Sequence, residues 1–336
     1  MNSSLRDYCP NAYSDRWLIS PASSKSLAIT YICLVPITVI SNSIVLYRII
    51  SAKLYKKVSN FFILIMTIAD FLIGTITLPS VYALYSKYAS VRVCTLELAT
   101  QFISTSLVYV SITMVMLVAI DRLVHQKFPM RFCMIFTKRF AKLIACISIF
   151  VSMLVSGLLT MSSVFNRIRI VSLICSVLFV VIIVVVFISY FRTYVHIIRY
   201  VRNSTVWNPR RTVDSRTIVP QPSKQRNPKY LRQFSTTVFL IILGICFCYL
   251  PFVIVMSLAL FKSYSKECIM DCSGDSEGLR LSLYVSYALI YSNSSLNSLV
   301  IIFRNRSVAR YVQQRKIAAV SLEKVRFRRP SAISMM

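Results

Sequence analysis

Residues 119–132, AIDRLVHQKFPMRF, decide the class to which this chain is assigned. They overlap the end of an apolar run, Leu98 to Ile120, of 23 residues without a charge, and they finish in a short basic segment with a proline. An Asp-Arg pair at the point where an apolar helix leaves a bilayer is costly to place and needs partners. The alternative is an ordinary helix end whose charged side chains reach back to water. The rest of the chain decides between the two interpretations.

The composition is that of a membrane protein. Of the 336 residues, 56% are hydrophobic and the mean hydropathy is +0.66, which is too apolar for an ordinary soluble domain. A spanning helix needs about 20 apolar residues, and lipid offers no partner to an exposed backbone. The sequence therefore predicts an all-α bundle of seven transmembrane helices. The segments are Leu27–Ile50, Ser59–Tyr85, Cys94–Ile120, Leu143–Phe165, Ile170–Phe191, Ser235–Phe261 and Leu281–Phe303.

The charged residues predict the orientation. The net charge is +28, and most Lys and Arg residues follow the first, third and fifth segments or lie in the tail. Basic loops favour the cytoplasmic side and anionic lipid headgroups. Nucleic-acid binding is not expected, because the basic segments lack regular aromatic interleaving. We predict an extracellular amino terminus at 1–26, a seven-transmembrane domain at 27–303 with a cytoplasmic loop at 202–230, and a cytoplasmic region at 304–336.

Three expectations concern the two ends of the chain. The Asn2-Ser3-Ser4 sequon lies on the side where glycosylation occurs. In Arg304–Arg315 apolar and basic residues occupy opposite faces, which favours a short amphipathic eighth helix on the membrane surface. No cleavable signal peptide is evident near the start, so the first transmembrane helix is expected to act as the insertion signal.

A carboxylate lies in the middle of the second segment. Placing Asp70 there costs roughly 2.5–3.5 kcal/mol by insertion scales, so it should face the bundle interior. Partners are available at similar depth. They are Ser111 in the third segment and Asn293, Ser294 and Asn297 in the seventh. Such oxygens suit a small hard cation or a proton. The alternative is a structural hydrogen-bond knot between helices that includes Asn42.

A proline lies inside the sixth segment, flanked by aromatic residues. Pro251 removes a backbone hydrogen bond and is expected to kink the helix. A hinge is the functional interpretation, and static packing is the alternative.

Taken in order, these motifs resemble those of the rhodopsin-like (class A) G-protein-coupled receptors over nearly the whole chain. The motifs are Ser41-Asn42-Ser43, Leu64–Asp70, Asp121-Arg122 with Pro129–Phe132, Tyr194 and Cys248–Phe252. The resemblance implies a heterotrimeric G protein as partner, an extracellular ligand and a plasma-membrane location. It implies no cofactor other than a sodium ion, held by Asp70, Ser111, Asn293 and Asn297. It also assigns roles in activation and coupling to Asp121, Arg122, Tyr194, Tyr249, Pro251 and Asn297.

The chain departs from the family pattern in several places. Leu123 replaces the motif tyrosine, and Tyr249 replaces the tryptophan of the sixth helix. Residues 297–301, NSLVI, stand where Asn-Pro-x-x-Tyr is expected, so the proline and the tyrosine are both missing. These departures affect the family's water-mediated link between Tyr194 and the seventh helix. Lys229 and Arg232 stand where an acidic residue would complete a lock on the motif arginine. The hypothesis is a loosely held resting state with unusual, weak or constitutively biased coupling.

The cysteines also differ from the family pattern. Cys94 lies about one turn before the family's cysteine position, where Glu97 stands, and the second outer loop has no cysteine. Four cysteines are expected outside, and four allow three pairings. Cys268–Cys272 is the first choice, which leaves Cys9 with Cys94. The remaining cysteines are interpreted as small apolar packing residues.

The resemblance extends to a branch and to a ligand class. The short second outer loop and the cysteines of the third are similar to the melanocortin, adenosine and cannabinoid branch, melanocortin most. Ser104 takes the place of the amine-binding aspartate and Tyr291 that of the retinal lysine, so neither an amine nor retinal is expected. A pocket near Glu97, Gln101, Ser104, Phe252 and Tyr287 suits a small peptide or a lipid. The alternative is a Glu97 that is simply solvated at a helix end.

Two other classes of function were weighed. A transporter or channel would use Asp70 as its coupling-ion site, but seven segments without a repeat argue against it. An enzyme is disfavoured because the only histidines, His125 and His196, lie at cytoplasmic helix ends without a metal-ligand set.

Overall fold

The computed structural model describes residues 21–85, 94–127, 137–164, 169–206, 228–264, 278–279 and 281–303. Within these ranges all regular structure is helical, which confirms the predicted all-α class. The seven long helices of the described residues are α1 Pro21–Ser51, α2 Val58–Tyr85, α3 Cys94–Lys127, α4 Lys138–Val164, α5 Arg169–Val206, α6 Pro228–Tyr264 and α7 at 281–303. A π-helical segment, Ile73–Thr77, interrupts α2.

Six of the described helices, α1 to α6, are long and apolar enough to cross a membrane. The seventh, α7, is not among these six, and it carries eight serine and asparagine residues. Five of those side chains are buried in the bundle: Ser286, Asn293, Ser294, Ser295 and Ser298. A helix with this polarity is compatible with a membrane when its polar side chains face other helices. The outward faces are apolar, as Leu143, Ile147 and Phe150 of α4 illustrate.

Several helices are longer than the hydropathy pattern predicted. Helix α1 begins at Pro21 rather than Leu27, and α3 continues past Ile120. Helix α5 runs to Val206 and α6 begins at Pro228, so both ends of the predicted 202–230 loop are helical. The apolar signal stops at the bilayer surface, whereas backbone hydrogen bonding continues beyond it. The Asp121-Arg122 pair therefore lies inside a helix and not at its end.

Helix α3 is the central element of the bundle. It contacts α2, α4 and α5, and its residues Ile112, Met114 and Ala119 are fully buried. The Tyr109 hydroxyl donates to the backbone carbonyl of Cys175 on α5 at 3.0 Å. Functional residues of α3 are therefore held by packing on several sides.

A second cluster joins α1, α2 and α7 through tyrosines. Tyr31 stacks on Tyr85 at a ring distance of 5.8 Å and meets Tyr291 edge-on at 6.0 Å. Its hydroxyl donates to the carbonyl of Tyr284 at 3.2 Å. Through this cluster the amino-terminal half of α7 packs against α1.

Helices α1 and α2 approach closely at one glycine. A Cβ on Gly74 would lie 3.1 Å from the Cγ2 atoms of Thr38 and Val39. The site lies in the π-helical segment, one turn beyond Asp70. A side chain here would require Thr38 and Val39 to shift by a few tenths of an ångström.

Some predictions lie outside the described residues. They are the eighth helix and tail at 304–336, Asn2, the Cys268–Cys272 pair, and Cys9 of the Cys9–Cys94 pair. Of the cysteines predicted to pack inside, Cys175 and Cys248 are buried. Cys33 and Cys146 are instead exposed on outward helix faces.

Candidate functional site

Asp70 is the centre of a polar site within the bundle. Its side chain is 0% exposed. The Ser111 hydroxyl of α3 donates to its Oδ1 at 2.7 Å, and the Asn297 amide of α7 donates to its Oδ2 at 3.3 Å. Ser294, another buried residue of α7, also lies close to the carboxylate. The structure thus brings together three of the four residues predicted to hold a cation, and they come from three helices.

The fourth predicted residue, Asn293, faces α6. Its amide donates to the hydroxyl of Tyr249 at 3.0 Å, and Tyr249 is buried. Asn293 and Asn297 are four residues apart, so they occupy one face of α7. One face of α7 therefore contacts both the Asp70 carboxylate of α2 and Tyr249 of α6, which lies two residues before Pro251.

The neighbouring face of α7 contacts α1. The amide of Asn42 donates to the backbone carbonyl of Ser294 at 3.2 Å. The hydroxyls of Ser298 and Ser41 hydrogen-bond to each other at 2.6 Å. Asn42 was expected from its depth in the membrane, whereas the serine pair was not predicted, because a serine in an apolar segment gives little indication of its partner.

The side chains around Asp70 are of the kinds that hard cations prefer. They are one carboxylate, the hydroxyl of Ser111 and the side-chain amide of Asn297. Asn42 Oδ1 and Thr38 Oγ1 are buried and have no hydrogen-bond partner among the described residues. The described residues hold no group of three His, Cys, Asp or Glu side chains suited to a metal ion. The same contacts also serve a structural knot, since α1, α2, α3 and α7 meet here.

The Asp121-Arg122 motif is tied to α2. Asp121 is buried, and its Oδ2 accepts a hydrogen bond from the hydroxyl of Ser59 in the first turn of α2. Arg122, the next residue of α3, is half-buried. Ser59 was missed by sequence reasoning. Its position just after a run of lysines gave no sign that it faces α3.

Residues 41–300 match the family described as 7 transmembrane receptor (rhodopsin family). The chain belongs to this family. It is thus a multi-pass membrane receptor of a signalling family, and the family is one of receptors rather than enzymes. No curated protein matches the chain. The match is to the family as a whole, so the similarity to one branch stays a prediction.

The receptor has an aromatic wall between α3, α5, α6 and α7. Phe252 contacts Tyr287 and Phe179 at ring distances of 5.3 and 5.7 Å. Phe179 continues the wall to Tyr109 at 5.3 Å and to Tyr249 at 5.7 Å. Phe252 and Tyr287 were predicted to line the pocket. Phe179 was not, because the fifth segment is apolar throughout and shows no periodicity that orients it.

The α3 side of the predicted pocket follows one helical stripe. Glu97, Gln101 and Ser104 recur at a spacing that places them on one face. The first two are half-buried and Ser104 is buried. The Ser104 hydroxyl donates to the carbonyl of Gln101 at 3.1 Å and lies close to Tyr291 of α7. In the receptor, polar groups of α3 therefore lie near aromatic groups of α7.

Of the remaining activation residues, Tyr194 and Pro251 lie on α5 and α6. Tyr194 is partly buried and packs against the main core. Helix α6 runs continuously through Pro251. The receptor thus places these two on the helices for which they were predicted.

Proposed function

We propose that this receptor carries an extracellular signal across the plasma membrane to heterotrimeric G proteins, with its amino terminus outside and its carboxyl terminus in the cytoplasm. One observation carries the proposal. A fully buried carboxylate is linked through two asparagines of one α7 stripe to Tyr249, which lies at the base of the aromatic wall. Occupancy of the wall and the state of the carboxylate are thereby connected.

Asp70 is proposed to bind a sodium ion in the resting receptor, with Ser111, Asn293 and Asn297 as neutral partners. A cation would neutralise a carboxylate whose burial is costly. Rotation of the Asn293 side chain away from Tyr249 would offer its amide oxygen to the ion. Binding of the ion would therefore compete with the hydrogen bond between Asn293 and Tyr249. The sodium affinity would then depend on the position of α6.

Activation is proposed to proceed by outward movement of the cytoplasmic half of α6 about Pro251. The proline interrupts backbone hydrogen bonding and provides a hinge. Movement of α6 would open the cytoplasmic end and expose Arg122 to a G protein, with Tyr194 on α5 as its partner in the active state. The basic residues at the start of α6 favour substantial basal signalling, because no acidic residue there attracts the arginine.

The ligand is proposed to be a small peptide or a lipid. Aromatic rings supply most of the wall, and Glu97 supplies one carboxylate for a cationic group of a peptide. A screen of both classes with a cAMP readout, repeated on Glu97→Gln, separates them. A cationic peptide should lose potency on Glu97→Gln, whereas a neutral lipid should not. Failure of every ligand to alter signalling, together with solute flux through the protein, would favour the transporter alternative.

The sodium proposal is tested by thermal unfolding of the purified receptor in sodium chloride and in potassium chloride of equal ionic strength. A ligand that binds only the folded state raises Tm with its concentration. Sodium should raise Tm of the native chain, and Asp70→Asn should remove the increase while Glu97→Gln keeps it. An equal response of Asp70→Asn and the native chain to sodium would refute the site.

A further inference from the structure

We propose that the Ser41–Ser298 pair is a positioning device that directs Asn297 towards Asp70. The inference deepens the proposed function, and its sodium experiment rests on the sodium site. Ser298 is 0% exposed and Ser41 is 4% exposed, so the bond between them is shielded from bulk solvent. The separation of 2.6 Å between their hydroxyl oxygens is that of a well-formed hydrogen bond.

The local hydrogen bonding keeps the pair intact in either proton arrangement. The Ser41 hydroxyl can donate to the carbonyl of Thr38 at 3.3 Å while Ser298 donates to Ser41. In the other arrangement, Ser298 donates to the carbonyl of Ser295 at 2.9 Å while Ser41 donates to Ser298. Each hydroxyl donates once in both arrangements. The contact between α1 and α7 therefore persists whichever way the protons point.

The pair controls the rotation of α7 about its own axis. Successive helix residues are turned by about 100°, so fixing Ser298 against α1 leaves Asn297 directed towards the next helix. That helix is α2, which packs on α1 and carries Asp70. Asn42, the neighbour of Ser41, bonds the carbonyl of Ser294 one turn earlier on the same face. Two consecutive α1 residues thus hold one turn of α7.

The proposal is tested by a double-mutant cycle on the full chain, purified in detergent and unfolded thermally in potassium buffer. Asn297→Ala is made alone and together with Ser41→Ala, which lies on another helix. If the serine pair positions Asn297, the loss of Tm caused by Asn297→Ala should shrink to roughly half or less in the Ser41→Ala chain. Additive losses would overturn the proposal.

Ser286→Ala is the matched control. This buried serine lies on α7, and among the described residues its hydroxyl bonds only within the helix, to the carbonyl of Ser282 at 2.7 Å. Asn297→Ala should lower Tm by as much in the Ser286→Ala chain as in the native chain. A smaller decrease there would overturn the positioning role of the Ser41–Ser298 pair. If Ser41→Ala does not fold, Ser298→Ala replaces it in the double-mutant cycle, because it breaks the same hydrogen bond from the α7 side.

A sodium titration distinguishes positioning from simple stabilisation. The half-maximal sodium concentration for the increase in Tm should rise several-fold in Ser41→Ala and stay unchanged in Ser286→Ala. A lower Tm with an unchanged half-maximal concentration would overturn the positioning role. If the native chain shows no sodium response, the sodium site fails, and the cycle in potassium still decides the role of the pair.

Discussion

Asp121 illustrates how one side chain of this receptor depends on a neighbour in another helix. Its carboxylate is buried near the carboxyl-terminal end of α3 and accepts a hydrogen bond from Ser59 of α2. Its Oδ1 has no hydrogen-bond partner among the described residues. The Ser59 bond is therefore a large part of what holds the carboxylate in place. The motif itself was evident from the sequence, but this partner was not, because it depends on the rotation of α2.

Ser59→Ala should raise basal signalling. Hydrogen bonds to charged groups contribute about 1.5–3 kcal/mol, and this one holds Asp121 in the resting arrangement. Agonist-free second-messenger levels at matched surface expression provide the measurement. Ser43→Ala is the control, since that hydroxyl bonds to the carbonyl of Val39 within α1 and to no other group in the part of the chain that the structure describes. Equal basal signalling in the two variants would contradict the prediction.

Gly74→Val should lower the thermal stability. The added side chain meets Thr38 and Val39 at 3.1 Å, and overpacking of a tight interface costs about 1–3 kcal/mol. Thermal unfolding in detergent measures the effect. Gly244→Val is the control, because a Cβ there has nothing within 4 Å. A Tm of Gly74→Val no lower than that of Gly244→Val would count against the close approach.

At the scale of elements, the link between α6 and α7 is the most informative. It consists of the Asn293–Tyr249 hydrogen bond and a contact between Cys248 and Ser292 at 3.9 Å. The replacement of the family's tryptophan by Tyr249 was visible in the sequence. The bond that its hydroxyl makes was not, since the sequence assigned Asn293 to Asp70. A buried amide has several candidate acceptors, and only the packing of α6 against α7 selects one.

Tyr249→Phe should raise basal signalling while costing little stability. It removes only the hydroxyl, so α6 loses the hydrogen bond from Asn293 but keeps the Cys248–Ser292 contact and the ring contact with Phe179. Buried hydrogen bonds in membrane proteins average about 0.6 kcal/mol, so Tm should fall by little. Tyr109→Phe is the matched control, because it removes a hydroxyl that binds α5. If both raise basal signalling equally, the α6–α7 link has no special role.

At the scale of the whole molecule, the apolar segments of the sequence predicted the number and order of the helices. They did not predict the residues at which the helices begin and end. Apolar runs predict where lipid surrounds a helix, and six of the seven predicted segments coincide with described helices that are long and apolar enough to cross a membrane. The extension of α5 to Val206 was missed because those residues are polar. The central position of α3 was equally hidden, since burial by lipid and burial by protein select the same apolar side chains.

The charge distribution predicts one topology for the complete chain. An epitope tag at the amino terminus should be labelled on intact cells, and a tag at the carboxyl terminus only after permeabilisation. The physical reason is the retention of short basic loops in the cytoplasm. Labelling of the carboxyl-terminal tag on intact cells would reverse the proposed orientation.

The polarity of α7 has a consequence for the biosynthesis of this receptor. A helix with eight serines and asparagines gains little by entering lipid alone, so its insertion depends on earlier helices that are already in the membrane. Asp70, Asn42 and Ser41 supply ready partners for it as it leaves the translocon. Loss of these partners should therefore appear first as chains retained in the endoplasmic reticulum and degraded there.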